Sequence, residues 1–192
     1  MTNPMEMSLR TLKSTEVYFY KYLVTSQVFY QSQHTYALVN LKPLVPGHIL
    51  VVPLRTSILR FSDLTPDESI DYMNTLQLIH KFIKYIYKAD ALNIAIQDGP
   101  ESGQSVPHLH THVIPRYATD GYGDRIYTLL EEENLEKRYE EFKRRKEAFI
   151  NSSHENKLAK KDEERMERSE EIMKNEAEWL SQELAKFIET TT

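Results

Sequence analysis

Short β-rich runs of apolar residues recur in the first two thirds of the chain, Tyr36–Asn40, Ile49–Val52, Leu92–Ile96 and His108–Ile114, each flanked by Pro, Gly, Asp or Asn. Short apolar runs rich in β-branched residues and bounded by turn residues predict strands. The aromatic stretch Val17–Val24 and the segment Val28–Tyr30 fit either a further strand or an opening helix, and periodicity leaves both open. Between the second and third runs, Thr65-Pro66-Asp67-Glu68 has the form of a helix start, with Thr65 as N-cap, Pro66 in the first helical position and Glu68 closing a capping box. Met73, Leu76, Ile79, Ile83 and Ile86 follow at steps of three and four, an apolar stripe for packing on a sheet. Two strands, a long helix, then two strands joined by the loop from Asp98 to Pro107 predict an α+β domain with a largely antiparallel sheet.

The pattern changes after Gly123, beyond which the last 69 residues contain neither Gly nor Pro. Residues 131–148 are densely charged, and 151–164 are polar enough for a hinge or a disordered stretch. Met166, Met173, Ala177, Leu180, Leu184 and Phe187 then form a thin seam, which fits a helix docking on the domain, a helix docking on a second copy, or a solvated helix that frays. The expected organisation is a flexible N-terminus at 1–16, one domain at 17–130 and a charged, mainly helical extension at 131–192.

Composition narrows the function classes. A formal charge of −5 argues against binding long nucleic acids, which takes clustered positive charge, yet leaves room for a small phosphate ligand held by local donors. With no cysteine, the chain excludes disulfides, thiolate zinc sites and cysteine nucleophiles, and points to a reducing compartment. No run approaches the ~20 apolar residues of a membrane span, and residues 1–16 hold no apolar signal core, so a soluble intracellular protein is expected.

The candidate chemistry lies in His108, His110 and His112, which alternate with Leu109, Thr111 and Val113 and so line one face of an extended segment. Two of them could bind zinc, but positions i and i+4 on a strand lie about 13 Å apart and do not easily share one ion with ligands at ~2 Å, so a third ligand such as His48 or Asp98 would be needed. A linear polyphosphate fits the row better, with the middle imidazole facing the reacting phosphorus as nucleophile and its neighbours donating to phosphate oxygens. Upstream, Gly103-Gln104-Ser105-Val106 reads as a loop of neutral donors suited to phosphate, or as an ordinary connection. Gln97-Asp98-Gly99-Pro100 and Pro46-Gly47-His48 read first as turns, and Asn40 and Gln97 as polar residues ending two strands.

These segments, in this order and spacing, resemble the histidine-triad (HIT) superfamily from about Val28 to Arg116, and within it the fragile-histidine-triad branch of dinucleoside polyphosphate hydrolases and its fungal members. The resemblance implies a HIT-like fold, an antiparallel sheet of about five strands with a long helix packed on it. It also implies a homodimer that cleaves diadenosine triphosphate or tetraphosphate to AMP and the remaining nucleotide. By position, His110 would be the nucleophile that is adenylylated, His112 would bind and polarise the α-phosphate and His108 would hold the network. Asn40 and Gln97 would contact ribose and phosphate, Gly103, Gln104, Ser105 and Val106 would form the phosphate loop, Leu38 and Leu50 would lie near adenine, and His48 would support the site.

Tyr127 stands where animal members carry a tyrosine used in signalling, while Lys21 stands where those relatives have a histidine near the nucleotide. No protein-held metal is implied, and Mg2+ or Mn2+ would arrive with the substrate phosphates. The resemblance is not traced into the charged tail. Other readings within reach of the same residues are a nucleotide-loaded signalling dimer, a phosphoramidase or adenylyl-sulfate hydrolase of the same superfamily, and a metal-dependent hydrolase. Cytoplasm, with the nucleus as a second location, is the expected compartment, with no nucleic-acid or membrane partner.

Overall fold

The computed structural model describes residues 16–124, 126–127 and 167–191. The expected flexible N-terminus up to residue 15 and the hinge at 151–164 lie outside the described residues. Strands β1 (Tyr18–Phe19) and β2 (Tyr22–Leu23) form a small antiparallel hairpin. The main sheet holds β3 (Val28–Gln31), β4 (Thr35–Val39), β5 (Ile49–Pro53), β6 (Ala91–Ile96) and β7 (Thr111–Arg116). Its order is β3-β4-β5-β7-β6 and every pairing is antiparallel, in line with the largely antiparallel sheet expected from the order of strands and helix.

Helix α1 (Pro66–Ile86) starts at the expected box: Thr65 Oγ1 accepts from the Glu68 N–H, and the Glu68 carboxylate accepts from the Thr65 N–H. Arg55 clamps the same carboxylate at 2.8 and 2.7 Å, which holds its pKa down at about 2 and ties the helix start to the chain leaving β5. The stripe is shifted from the expected one at its first turn, because Met73 is exposed and Tyr72 is buried in its place. The Tyr72 hydroxyl has two partners inside, Val51 O at 2.9 Å and Thr111 Oγ1 at 2.7 Å, so a tyrosine serves this interior position where a count of aliphatic residues selects methionine.

Helix α2 (Glu170–Thr191) decides between the readings of the tail. Met173, Ala177, Leu180 and Leu184 are buried in the same core as α1 and the sheet, and the Phe187 ring packs on those of Phe82 and Tyr85 at 5.8 and 5.1 Å. The seam therefore docks on the chain's own sheet, and the fraying solvated helix is overturned. Met166 lies outside the described residues.

The sheet thus has two differently covered faces. Ala37, Val39, Ile49, Val51, Leu109 and Val113 point to the helices. Tyr36, Leu38, Leu50 and Val52 point the other way and pack with Val17, Val24 and Val28 near the N-terminal hairpin.

Candidate functional site

The histidine row is extended but is not all strand. His108 N–H bonds to Val106 O at 2.8 Å and Leu109 N–H to Ile58 O at 2.8 Å, so these residues pair with a turn and a loop, and the ladder begins only at Thr111. His112 alone lies within it, opposite Leu50 on one side and Ala95 on the other. Alternation persists across the boundary, because the pleat and not the ladder sets which way side chains point. The three imidazoles share the face away from the helices, with His110 and His112 ring centres 5.0 Å apart and the Phe19 ring 5.6 Å from His108 and 5.3 Å from His110.

Backbone groups fix the protonation of these buried rings, since an N–H can only donate and a carbonyl can only accept. The Tyr20 N–H donates to His108 Nδ1 at 3.0 Å, so the His108 proton sits on Nε2, a buried atom that finds no hydrogen-bond partner among the described residues. Tyr20 reaches this position with a left-handed φ of 56° between β1 and β2. Burial, aided by the adjacent His110, pushes the His108 pKa down to about 3, and the ring is neutral at pH 7.

The logic is reversed at His110. Its Nδ1 lies 2.7 Å from His108 O, which requires the proton on Nδ1 and leaves the Nε2 lone pair unprotonated. Burial also lowers the His110 pKa, which keeps that lone pair available.

Opposite, the Leu44 N–H donates to His48 Nδ1 at 3.0 Å, so the His48 proton is on Nε2 and is donated to His112 Nδ1 at 2.9 Å. His112 then carries its own proton on Nε2. Asn40 Oδ1 accepts from the Lys42 N–H at 3.0 Å, which turns Asn40 Nδ2 toward the His48 Nε2–H at 3.2 Å, a close approach of two donors and not a hydrogen bond. Neighbouring rings thus present a nucleophilic nitrogen on His110 and a proton donor on His112. The arrangement suits attack on a phosphorus whose oxygen is simultaneously hydrogen-bonded.

Leu50 is the ladder partner of His112, and Leu38 is the partner of Leu50 on the next strand; both are buried. Gln97 is buried directly after β6. In the Gly-Gln loop, the N–H groups of Gly103 and Gln104 are engaged internally, by Pro100 O and Gly99 O, both at 3.0 Å. Gln104 also turns its amide inward, donating to Leu59 O at 2.8 Å and reaching 3.4 Å from His108 O, the carbonyl that orients His110. Only Ser105 and Val106 of this loop are more than marginally exposed, so the loop is braced from within and its outer tip carries the donors open to a ligand. Gly99, at φ 120°, lies under the Arg60 guanidinium, where a Cβ would come within 2.5 Å of Nη1.

Tyr127 is half-exposed and accepts from Asn93 Nδ2 at 2.8 Å beside β6, apart from the hydrogen bonds of the histidines. The Lys21 ammonium lies over the Tyr20 and Tyr22 rings at 5.9 and 5.6 Å. Among the described residues, no three His, Cys, Asp or Glu side chains are grouped to hold a metal ion.

Two sets of residues at the site escape a reading of the sequence. Phe19 and Tyr20 cover and orient the triad from a hairpin of two-residue strands, too short for a periodic signal, although the aromatic density of Val17–Val24 is a hint. Arg168 reaches the carbonyl of Asn40 from the far end of the chain through Nε at 3.0 Å, and no local pattern announces it.

Comparison with known proteins agrees with this geometry. The HIT domain model matches residues 23–119, slightly more than half of the chain. Bis(5'-adenosyl)-triphosphatase of Saccharomyces cerevisiae is 69% identical over 115 residues, which are 60% of this chain and 56% of the relative. The chain therefore spans little more than half the length of that protein. Bis(5'-nucleosyl)-tetraphosphatase [asymmetrical] of Schizosaccharomyces pombe is 41% identical over 169 residues, covering 86% of this chain and 92% of the relative. That coverage carries the similarity past the domain into the charged C-terminal region, where the resemblance is not traced from the motifs. Among solved structures, the Plasmodium falciparum diadenosine triphosphate hydrolase in complex with Cyclomarin A superposes with a TM-score of 0.53 at 31% identity, covering 72% of this chain and 86% of that one. With the matched domain, these relatives and the oriented triad in agreement, the chain belongs to the HIT-domain, or histidine-triad, family.

Proposed function

We propose that this protein is a hydrolase that cleaves dinucleoside polyphosphates, diadenosine triphosphate or tetraphosphate, to AMP and the remaining nucleotide through a nucleotidyl-histidine intermediate. The observation that carries this reading is the lock on His110: its Nδ1 proton is held by His108 O at 2.7 Å, so Nε2 is the nitrogen that can attack. The activities named for the fungal and Plasmodium relatives support the substrate class.

In the first step the His110 Nε2 lone pair forms a bond to the α-phosphorus, and the bond from that phosphorus to the bridging oxygen breaks. ADP leaves from the triphosphate, or ATP from the tetraphosphate. The positive charge left on the ring is stabilised by its Nδ1–H bond to the His108 carbonyl. His112 Nε2–H donates to a non-bridging oxygen, with the opposite nitrogen held by His48. In the second step water attacks the same phosphorus, the P–N bond breaks, AMP leaves and His110 regains its lone pair. Gln97, Asn40 and the Ser105–Val106 tip would contact phosphate and ribose, with Leu38 and Leu50 toward the base. Mg2+ or Mn2+ enters as part of the substrate, shielding the polyphosphate.

A homodimer joined along the sheet edge is part of this reading. β6 is one of the two edge strands of the sheet, the other being β3, and Ala91 and Ile94 are exposed on it. No helix among the described residues is long and apolar enough to cross a membrane. The cysteine-free, acidic composition supports an intracellular setting, cytoplasmic or nuclear, without a nucleic-acid partner.

The test is turnover in heavy-oxygen water of diadenosine triphosphate, diadenosine tetraphosphate, adenosine phosphoramidate and adenylyl sulfate. Labelled AMP with unlabelled ADP or ATP from the first two is expected. Turnover of the phosphoramidate or adenylyl sulfate alone would move the activity within the superfamily, and tight dinucleotide binding without any turnover would make the protein a nucleotide-loaded signalling module instead.

A further inference from the structure

The turn between β4 and β5 carries Asn40 at its start and His48 at its end, and both ends are gripped by residues outside the triad segments. At the start, the Arg168 N–H donates to Leu41 O at 3.2 Å, the Arg168 guanidinium donates to Asn40 O through Nε at 3.0 Å and also through Nη2, and Lys42 pairs with Glu167 at 3.4 Å. At the other end, Gly47 adopts φ 80° against the Tyr87 ring, so closely that a Cβ there would lie 2.7 Å from ring carbons. Glu176 of α2 links the two grips: it is ion-paired with Arg168 and accepts from the Tyr87 hydroxyl at 3.2 Å. Trp179, one turn further along α2, meets the Tyr87 ring edge-on at 6.0 Å.

This turn contains the groups that set the state of His48. The Leu44 N–H determines which His48 nitrogen is protonated, and that nitrogen determines the tautomer of His112. A displacement of the turn by a fraction of an ångström therefore acts on a proton donor of the active site without touching it.

We propose that Arg168 and Glu176 are positioning residues of the active site, holding the 40–48 turn so that His48 keeps His112 protonated on Nε2. The mechanistic part rests on the dinucleotide hydrolase reading above, whereas the tautomer part stands without it.

The experiment uses the full chain with Arg168→Met, Arg168→Lys and Glu176→Gln, and reads the imidazole nitrogens by two-dimensional nitrogen–proton NMR without ligand. In the unaltered protein His112 is expected as a single Nε2–H tautomer and His110 as a single Nδ1–H tautomer. In Arg168→Met the His112 signals should shift to a mixture of tautomers while His110, held by the His108 carbonyl, stays unchanged; Glu176→Gln should do the same to a smaller degree, and Arg168→Lys should restore the pattern in part. In parallel, kcat for diadenosine triphosphate should fall about tenfold or more in Arg168→Met, with KM changed less than about twofold. An unaltered His112 tautomer in folded Arg168→Met, or in Glu176→Gln should the first variant not fold, would overturn the proposal. So would equal disturbance of His110 and His112, which is the mark of general loosening. Should the unaltered protein cleave no dinucleoside polyphosphate, the hydrolase reading fails while the NMR comparison still decides the positioning role.

Discussion

The two faces of the segment 108–113 are almost equally buried and do opposite work. On the helix side, Leu109 and Val113 are packed in the core and Thr111 closes its hydroxyl against Tyr72. On the other side, His108, His110 and His112 form a row in which each ring has one nitrogen set by a defined partner, and the proposed reaction uses Nε2 of His110 and of His112. Burial alone therefore does not distinguish a structural from a functional row. Nitrogen-by-nitrogen accounting of donors and acceptors does.

The strongest way to break the contrast is to remove the proposed nucleophile. His110→Asn should lower dinucleotide turnover by about 10⁴-fold or more while leaving dinucleotide binding measurable, whereas a helix-face change should not approach that loss.

Acidification comes next. His108 and His110 are held neutral by burial, with pKa values below the ordinary 6.5 and about 3 for His108, so the unfolded chain binds more protons than the folded one as pH falls below about 6.5. Stability should be flat above that pH and fall below it, by up to about 1.4 kcal/mol per pH unit for each ring. Urea unfolding between pH 7 and 5, above the range where most carboxylates titrate, measures the slope, and His108→Asn should reduce it.

Tyr72→Phe probes the other face. It deprives buried Val51 O and Thr111 Oγ1 of a partner and should cost about 1–3 kcal/mol in urea unfolding, with turnover within about twofold of the parent. The smallest effect is expected for Thr65→Ala, which opens the capping box of α1 at about 1 kcal/mol and leaves turnover unchanged.

How much of this was legible in the sequence depended on the range of the interaction. The alternation of His108, His110 and His112 could be read because it is a property of any extended chain, and it survived although the ladder starts at Thr111. The box at Thr65–Glu68 could be read because its partners are three residues apart. The choice of Tyr72 over Met73 could not, since it depends on acceptors in β5 and β7 that only the fold brings near.

The same holds for the ring nitrogens. His108 takes its proton arrangement from Tyr20 and His112 from His48, 88 and 64 residues away in sequence. The grip of Arg168 on Asn40 spans 128 residues and follows from the docking of α2, a point on which the thin seam of the tail was compatible with three outcomes.

The central claim is that His110 Nε2 takes the nucleotide covalently. Rapid mixing with diadenosine triphosphate, quenching under alkaline denaturing conditions that preserve phosphoramidates, and peptide mass spectrometry test it directly. The account predicts an AMP adduct on residue 110, transient in the unaltered protein and absent from His110→Asn. An adduct on another residue, or full turnover with no adduct at any time, would contradict it.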